Sequence, residues 1–115
     1  MSDFNRVIIE GRLTRPPEMR TIPGTDTKVC DLHIACNREI KIEEKWEQFP
    51  VYIKVTQWNK NAERAMEKFS TGDRIIVEGE LVDDNFEKGD SKTSGRLKVD
   101  HARVKMLAKA QPKTN

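Results

Sequence analysis

Apolar and polar residues alternate along this chain in a pattern that predicts five strands and one helix. Apolar residues at every second position indicate strands, and intervals of three and four residues indicate a helix. The predicted strands cover residues 6–13, 29–37, 51–58, 74–81 and 97–107, and the predicted helix covers residues 59–69. The apolar phase of the last strand shifts near Asp100 and His101, which predicts a β-bulge there.

The connecting segments complete this plan. Residues 14–27 carry Pro and Gly and are predicted to be a loop, whereas the charged residues 38–49 are predicted to be a long hairpin extension. Asn59 is the predicted N-cap of the helix, and Gly11 suggests a bulge, a bend or a close backbone approach. The helix lies between strands three and four, as in the OB-fold. We therefore expect an all-β fold, a five-stranded Greek-key barrel with one helix.

The third strand carries the most informative surface in the sequence. Its period of two predicts a core face of Val51, Ile53 and Val55. The opposite face carries the side chains Tyr52, Lys54, Thr56 and Trp58. Aromatic rings beside a cation suit the stacking of unpaired nucleic-acid bases near phosphates. A second core or a subunit contact would also explain the two rings.

Composition limits the function classes. The chain has 115 residues, which is the size of one domain, and a formal net charge of only +2. Affinity for a polyanion therefore depends on a local basic path rather than on bulk charge. No apolar run is long enough to span a membrane and no secretion signal is apparent, so we expect a cytoplasmic protein. Cys30 and Cys36 share the predicted core face and are expected to be structural.

The ordered motifs resemble the DNA-binding domain of the bacterial and phage single-stranded DNA-binding proteins. The resemblance covers residues 4–107 and is carried by Gly-Arg-Leu at 11–13, Pro-Glu-x-Arg at 17–20 and VCDLHIACNR at 29–38. It continues through Trp58-Asn59-Lys60, FSTGDRIIVEGEL at 69–81 and RVKML at 103–107. We accordingly expect an OB-fold domain over residues 1–107 and a short polar tail over 108–115.

The resemblance implies a set of nucleic-acid-binding positions. Tyr52, Trp58 and Phe86 occupy places where the family stacks bases. Ile40 occupies the fourth such place without an aromatic ring. Trp46, in the same hairpin, either replaces the missing stacking ring or is an exposed residue with no binding role. The implied phosphate-binding cations are Lys54 and Lys60, with Arg6, Arg20 and Arg38 as weaker candidates; a solvated surface role is the alternative for each.

The resemblance further implies single-stranded DNA as the ligand and a homo-oligomer, a tetramer or alternatively a dimer. The first strand, with Ile8 and Glu10 on its outer side, resembles the family's dimer seam. Asp83 and Asp84 stand where relatives carry basic residues, which is expected to weaken phosphate contact. No acidic residue follows Asp100. The family's acidic recruiting tip is therefore absent from this sequence, which is either trimmed or of a naturally short phage or plasmid type.

Catalytic and metal-binding patterns are missing from the sequence. It has no GxxxxGK[ST] loop, HExxH motif or paired CxxC, so we expect no enzymatic activity, no cofactor and no metal. The acidic pairs Glu43/Glu44 and Asp83/Asp84 are predicted to be solvated. Two other binding roles stay open: a primosomal-type replication-restart accessory, and an interaction module that uses Tyr52 and Trp58 as a protein interface.

Overall fold

The computed structural model describes residues 2–84 and 96–111 as a single sheet closed on itself, with one helix. The strands are β1 (Val7–Leu13), β2 (Glu18–Thr21), β3 (Lys28–Ile42), β4 (Lys45–Trp58), β5 (Arg74–Asp83) and β6 (Leu97–Ala108). The helix α1 (Asn59–Lys68) lies between β4 and β5. The predicted OB-fold is confirmed, because β1 and β3 to β6 are the five barrel strands.

The pairing of β1 with β3 and the parallel pairing of β4 with β6 define the barrel. The sheet order is β1-β5-β6-β4-β3-β2, and an additional pairing of β1 with β3 closes it. Strands β4 and β6 run parallel, while the other neighbours are antiparallel. At the closure, a Cβ on Gly11 would lie 2.8 Å from the carbonyl oxygen of Ala35. Of the three alternatives given for Gly11, the close backbone approach is the one found.

The bulge predicted in the last strand is also present. The pairing of β5 with β6 shifts between Glu78 and Glu80, and His101 adopts a φ of 50°. This extra residue lets the two halves of β6 present different faces to the barrel. The strand can therefore contribute core residues on both sides of the shift.

The core fills the barrel and the space beneath α1. The buried cluster brings together one face of each barrel strand and the apolar stripe of the helix. Its members are Leu13, Cys30, Leu32, Ile34, Val55, Ala62, Ala65, Phe69, Ile75, Val77, Val99 and Ala102. The predicted core position of Cys30 is confirmed, whereas Cys36 is half-buried beyond it.

Strands β3 and β4 extend beyond the barrel as a two-stranded ribbon, here called the arm (residues 37–51). A two-residue turn at Glu43 and Glu44 joins them, with φ values of 48° and 68°. Two positive φ values in a two-residue loop match the turn type that follows the twist of paired strands. The predicted hairpin extension is thus confirmed, and its strands are continuous with those of the barrel.

Three local predictions are wrong. The segment predicted as a loop at 14–27 contains β2, which pairs with β3. Asn59 does not cap the helix: Trp58 is the N-cap residue, and the Asn59 Oδ1 accepts a hydrogen bond from the Lys28 N–H at 3.2 Å. The third strand is also less regular than predicted, because Val51 is 42% exposed while Thr56 is fully buried.

Candidate nucleic-acid interface

The exposed face of β4 and the groove beside it form the first part of the candidate site. Tyr52 is 71% exposed, so its ring is available for stacking. It borders an open groove of about 620 Å³. The side chains that line the groove from several elements include Arg15, His33, Lys54, Asp84 and Arg96. The predicted association of an aromatic ring with basic side chains is therefore present at Tyr52.

Lys54 is not a free cation in this groove. Its Nζ lies 2.7 Å from the Asp84 Oδ1, and both side chains are largely buried. The prediction that Asp84 is solvated is wrong, because the end of β5 brings this carboxylate against β4. Since the pair is poorly exposed to water, its attraction is weakly screened. A phosphate that approaches Lys54 must therefore compete with Asp84. This agrees with the expectation that acidic residues at positions 83 and 84 weaken phosphate contact.

Trp58 is held in place at the other end of β4. Its indole Nε1–H donates a 2.6 Å hydrogen bond to the Asp100 Oδ1. Its ring lies nearly parallel to the His101 ring, with centroids 6.1 Å apart. The β6 bulge thus supplies both contacts, because it places Asp100 and His101 next to the end of β4. Trp58 is half-buried and has a fixed orientation, which is the geometry of a preformed platform.

Thr56, between Lys54 and Trp58, belongs to a buried polar network. Its hydroxyl donates to the Asp31 Oδ1 at 3.1 Å, and the Arg20 Nε donates to the Asp31 Oδ2 at 3.1 Å. Arg20 therefore has a structural role, because its ion pair with Asp31 links β2 to β3. The predicted phosphate contact of Arg20 would require this ion pair to be shared or broken. The sequence pattern could not show this, because the partners lie on three different strands.

The predicted binding residues of the arm lie on both of its faces. Ile40 pairs with Glu47 and Arg38 with Phe49, so both lie on the face opposite Tyr52 by the alternation of an antiparallel pair. Ile40 is half-buried and Arg38 is exposed. The missing fourth aromatic position is therefore not on the Tyr52 face of the ribbon.

Trp46 lies on the Tyr52 face of the arm. It pairs with Lys41, and its side chain is 67% exposed. Tyr52 lies six positions further along β4, a distance of about 20 Å along an extended strand. The two rings can therefore stack only on bases that are several nucleotides apart.

Two further cations were predicted outside the strands of the groove. Lys60 is exposed in the first turn of α1, close to Trp58 in sequence. Arg6 forms an ion pair with Glu78 of β5 at 3.2 Å. Phe86, the third predicted stacking residue, lies outside the described residues. Lys60 is thus an exposed cation two residues after Trp58, whereas Arg6 is engaged with a carboxylate.

Sequence reasoning missed the cluster around His33. Its Nδ1 lies 3.2 Å from the Arg15 Nη2, and its Nε2 lies 3.4 Å from the Glu18 Oε1. Burial lowers the pKa of His33, and the positive charge of Arg15 lowers it further. The imidazole is therefore neutral at pH 7 and sits at the groove beside Lys54. The alternation of β3, which sets His33 on the face opposite Leu32 and Ile34, is the only signal for it in the sequence.

Reactive and metal-binding chemistry is not apparent in the described residues. Burial, together with the negative charges of Asp31 and Glu18, raises the pKa of the Cys30 thiol to about 11, so this cysteine stays protonated and unreactive. Across residues 2–84 and 96–111 no cluster of metal-ligating side chains is found. Within the same residues, no helix combines the length and apolar character that membrane crossing requires.

An all-β barrel with rings and cations along one strand face defines an OB-fold of the nucleic-acid-binding type. The model of the single-strand binding protein family matches residues 4–107. The chain is 30% identical over 110 residues to single-stranded DNA-binding protein 2 of Chlorobaculum tepidum, covering 95% of this chain and 74% of that protein. This chain belongs to the single-strand binding protein family.

Other relatives extend the comparison. The single-stranded DNA-binding protein of Deinococcus radiodurans is 32% identical over 97% of this chain, which spans only 37% of that protein. Among solved structures, the Plasmodium falciparum SSB in complex with ssDNA superposes with a TM-score of 0.73 at 17% identity, covering 93% of this chain and 97% of that one. A deletion mutant of the Thermus aquaticus single-stranded DNA binding protein gives 0.71 at 26% identity, covering 90% and 50%. Both structures share the fold.

Proposed function

We propose that this chain is a non-catalytic protein that binds and protects single-stranded DNA, with little sequence preference, in replication, recombination and repair. The β4 surface carries this proposal: Tyr52 is exposed at one end, and Trp58 is fixed by Asp100 at the other. Every base has a π-face, and each base stacked on a ring is worth about 1–3 kcal/mol. The names of the relatives support the same ligand.

The phosphate contacts of this proposal come from exposed cations. Lys60, two residues after Trp58, is exposed and forms no ion pair within residues 2–84 and 96–111, so it can neutralise a phosphate at the stacking face. Arg38 is also exposed, but it lies on the face of the arm opposite Tyr52, so it can meet only a phosphate that passes around the arm. For single strands, each neutralised phosphate adds about 0.7 to the slope of log K against log salt. Lys54, Arg20 and Arg6 have carboxylate partners, so their contribution is smaller.

Oligomerisation and location follow the same proposal. The outer side of β1 presents Ile8, which is 61% exposed, next to Glu10, which pairs with Arg74 at 3.2 Å. We place a seam between copies there, in a homotetramer or alternatively a dimer. The protein would act in the cytoplasm of a bacterial cell or phage-infected host, on DNA of the nucleoid. Light scattering with and without the Ile8→Glu substitution measures this assembly.

The test of the binding function is a fluorescence titration of the Trp46→Phe variant, in which Trp58 is the only tryptophan of the two in the chain. Oligo-dT is expected to quench Trp58 strongly, and added salt is expected to weaken binding without abolishing it. A matched duplex hides its base faces and should quench far less. An equal response to duplex, or no response to oligo-dT, would refute base stacking.

The same titration of the unsubstituted protein measures the contribution of Trp46. A larger total quench with the same affinity would mean that Trp46 only reports nearby DNA. A tighter affinity than that of Trp46→Phe would assign Trp46 a base of its own. Phe keeps an aromatic ring at this position, so Trp46→Ala serves as the matched control for stacking.

A further inference from the structure

We infer that Asn59 is a positioning residue for DNA binding, because its left-handed backbone conformation sets the Trp58 ring and the Lys60 cation that lie on either side of it. This inference rests on the proposed function. Asn59 is the first residue of α1 and has a φ of 52°. L-residues other than glycine seldom adopt this region, and asparagine tolerates it better than most.

The left-handed residue joins two elements whose directions are already fixed. On one side, the pairing of β3 with β4 holds the chain as far as Trp58. On the other side, α1 is docked through the buried side chains of Ala62 and Ala65. Trp58 itself is extended, with a φ of −120° and a ψ of 143°, so the turn from strand to helix falls on Asn59. A residue that cannot adopt a positive φ would pass the misfit to Trp58 or Lys60.

The side chain of Asn59 supports the same joint from the strand side. Its Oδ1 accepts a hydrogen bond from the Lys28 N–H at 3.2 Å. Lys28 is the residue opposite Asn59 when the register is continued by one position, because Val29 pairs with Trp58. The amide oxygen thus adds a bond at the end of the ladder, where the backbone has turned into α1. The Lys28 Nζ also lies 3.0 Å from the Glu63 Oε1, so the start of β3 is linked to the helix twice.

The joint matters for binding because it lies between a ring and a cation. The Trp58 ring contacts Asp100 and His101, and Lys60 is exposed in the first turn of α1. A nucleotide that stacks its base on Trp58 and places a phosphate at Lys60 needs both groups in one arrangement. Binding is stronger when that arrangement exists beforehand, since ordering side chains costs binding energy. Asn59 therefore acts through its two neighbours rather than by touching DNA.

The test compares Asn59→Ala with Asn59→Gly in the Trp46→Phe background, in which Trp58 is the only tryptophan. Both substitutions remove the hydrogen bond to Lys28, but glycine adopts a positive φ freely and alanine does not. We expect Asn59→Ala to bind oligo-dT several-fold more weakly and Asn59→Gly to retain most of the affinity. Asn61→Ala is the matched control, because Asn61 is exposed in the same helix and has no positive φ. It should bind like the background protein.

Two further readouts separate positioning from a loss of stability. The near-ultraviolet circular dichroism and the emission maximum of Trp58, measured on the folded variants without DNA, report the surroundings of the ring. Both should change in Asn59→Ala and stay unchanged in Asn59→Gly. Because Lys60 is displaced as well, the salt slope of Asn59→Ala should fall by about 0.7, the value of one phosphate contact. Lys60→Gln should lower the slope equally and leave the Trp58 spectrum as it is.

Three results would overturn the inference. Background values of the Trp58 spectrum and of the oligo-dT affinity in Asn59→Ala would show that the joint does not set the ring. Equal losses in Asn59→Ala and Asn59→Gly would assign the effect to the hydrogen bond with Lys28. An altered Trp58 spectrum in Asn59→Gly would contradict the inference even without the alanine variant. Failure of the background protein to bind oligo-dT would instead refute the proposed function, and the spectra without DNA would still test the joint.

Discussion

The two halves of β4 show how one strand can serve two purposes. In the barrel half, Val55 and Thr56 are fully buried, and Trp58 is fixed by Asp100. In the arm half, every residue from 45 to 51 is exposed, and so is Tyr52 where the arm meets the barrel. The strand has the same backbone pairing with β3 throughout. The backbone pairing is therefore not what fixes an aromatic ring on this strand. Contacts from other elements, such as Asp100 against Trp58, make one ring rigid and leave the others adaptable.

This difference has consequences for binding. Trp58 has its orientation set before DNA arrives, so little side-chain entropy is lost when a base stacks on it. Trp46 is held only by the backbone of a ribbon, and an isolated two-stranded ribbon is marginally stable. Tyr52 is exposed but lies where the arm joins the barrel, opposite Ala35, which also pairs with β1. DNA that binds along β4 would therefore order the arm while the barrel half stays unchanged.

The largest expected effect separates the two ends of β4. Trp58→Ala should lower the free energy of unfolding by about 3 kcal/mol, because it removes a half-buried ring and one of the two N–H donors to the Asp100 Oδ1, the other being the His101 backbone. Tyr52→Ala should change it by less than about 0.5 kcal/mol, because the ring is exposed. Each should weaken oligo-dT binding by about 1–3 kcal/mol. Denaturant unfolding and titration measure both quantities.

Trp58→Phe is the control for this comparison. It keeps an aromatic face for stacking but removes the Nε1–H that donates to Asp100. Stability should fall while most of the DNA affinity is retained. Equal losses of stability in Tyr52→Ala and Trp58→Ala would contradict the division of β4, and retained DNA binding with lost assembly would favour a protein interface.

A smaller effect is expected from Asp84→Asn, which tests the groove between the two halves. Removal of this carboxylate frees Lys54 for a phosphate, so oligo-dT should bind more tightly and the salt slope should steepen by about 0.7. Asp83→Asn is the matched control, because it removes the same charge one residue away. Equal gains in both variants would mean that only net charge matters, and weaker binding of Asp84→Asn would mean that the ion pair shapes the site.

The sequence predicted the barrel well because its core depends on local alternation. The helix, predicted over 59–69, was found at Asn59–Lys68, and the bulge was found at His101, since both leave a mark in the spacing of apolar residues. The arm was predicted as an extension of a hairpin. The register of its two strands is set by the two-residue turn at Glu43 and Glu44, which the sequence pattern did not predict.

Polar partnerships were much less predictable. Thr56 was expected on an open face but is buried with Asp31, and Asp84 was expected in water but pairs with Lys54. Each pair joins residues far apart in the chain, and alternation carries no information about such pairs. The same holds for Asp100, whose role becomes visible only when the bulge sets it beside Trp58. Candidate phosphate contacts were therefore chosen by residue type, without knowledge of which cations were already engaged.

The smallest expected effect is a pH dependence from His33. Its pKa is lowered from the ordinary value by burial and by Arg15, so the unfolded chain takes up this proton more readily than the folded protein. The free energy of unfolding should therefore fall as pH decreases from about 6.5 towards the lowered pKa, and this contribution should level off below it. Over the lower part of that range the imidazole gains a charge beside Lys54, so oligo-dT binding should tighten. His33→Gln should remove both trends, whereas His101→Gln, the control, should keep them. A wild-type pH profile that survives in His33→Gln would assign the titration to another group.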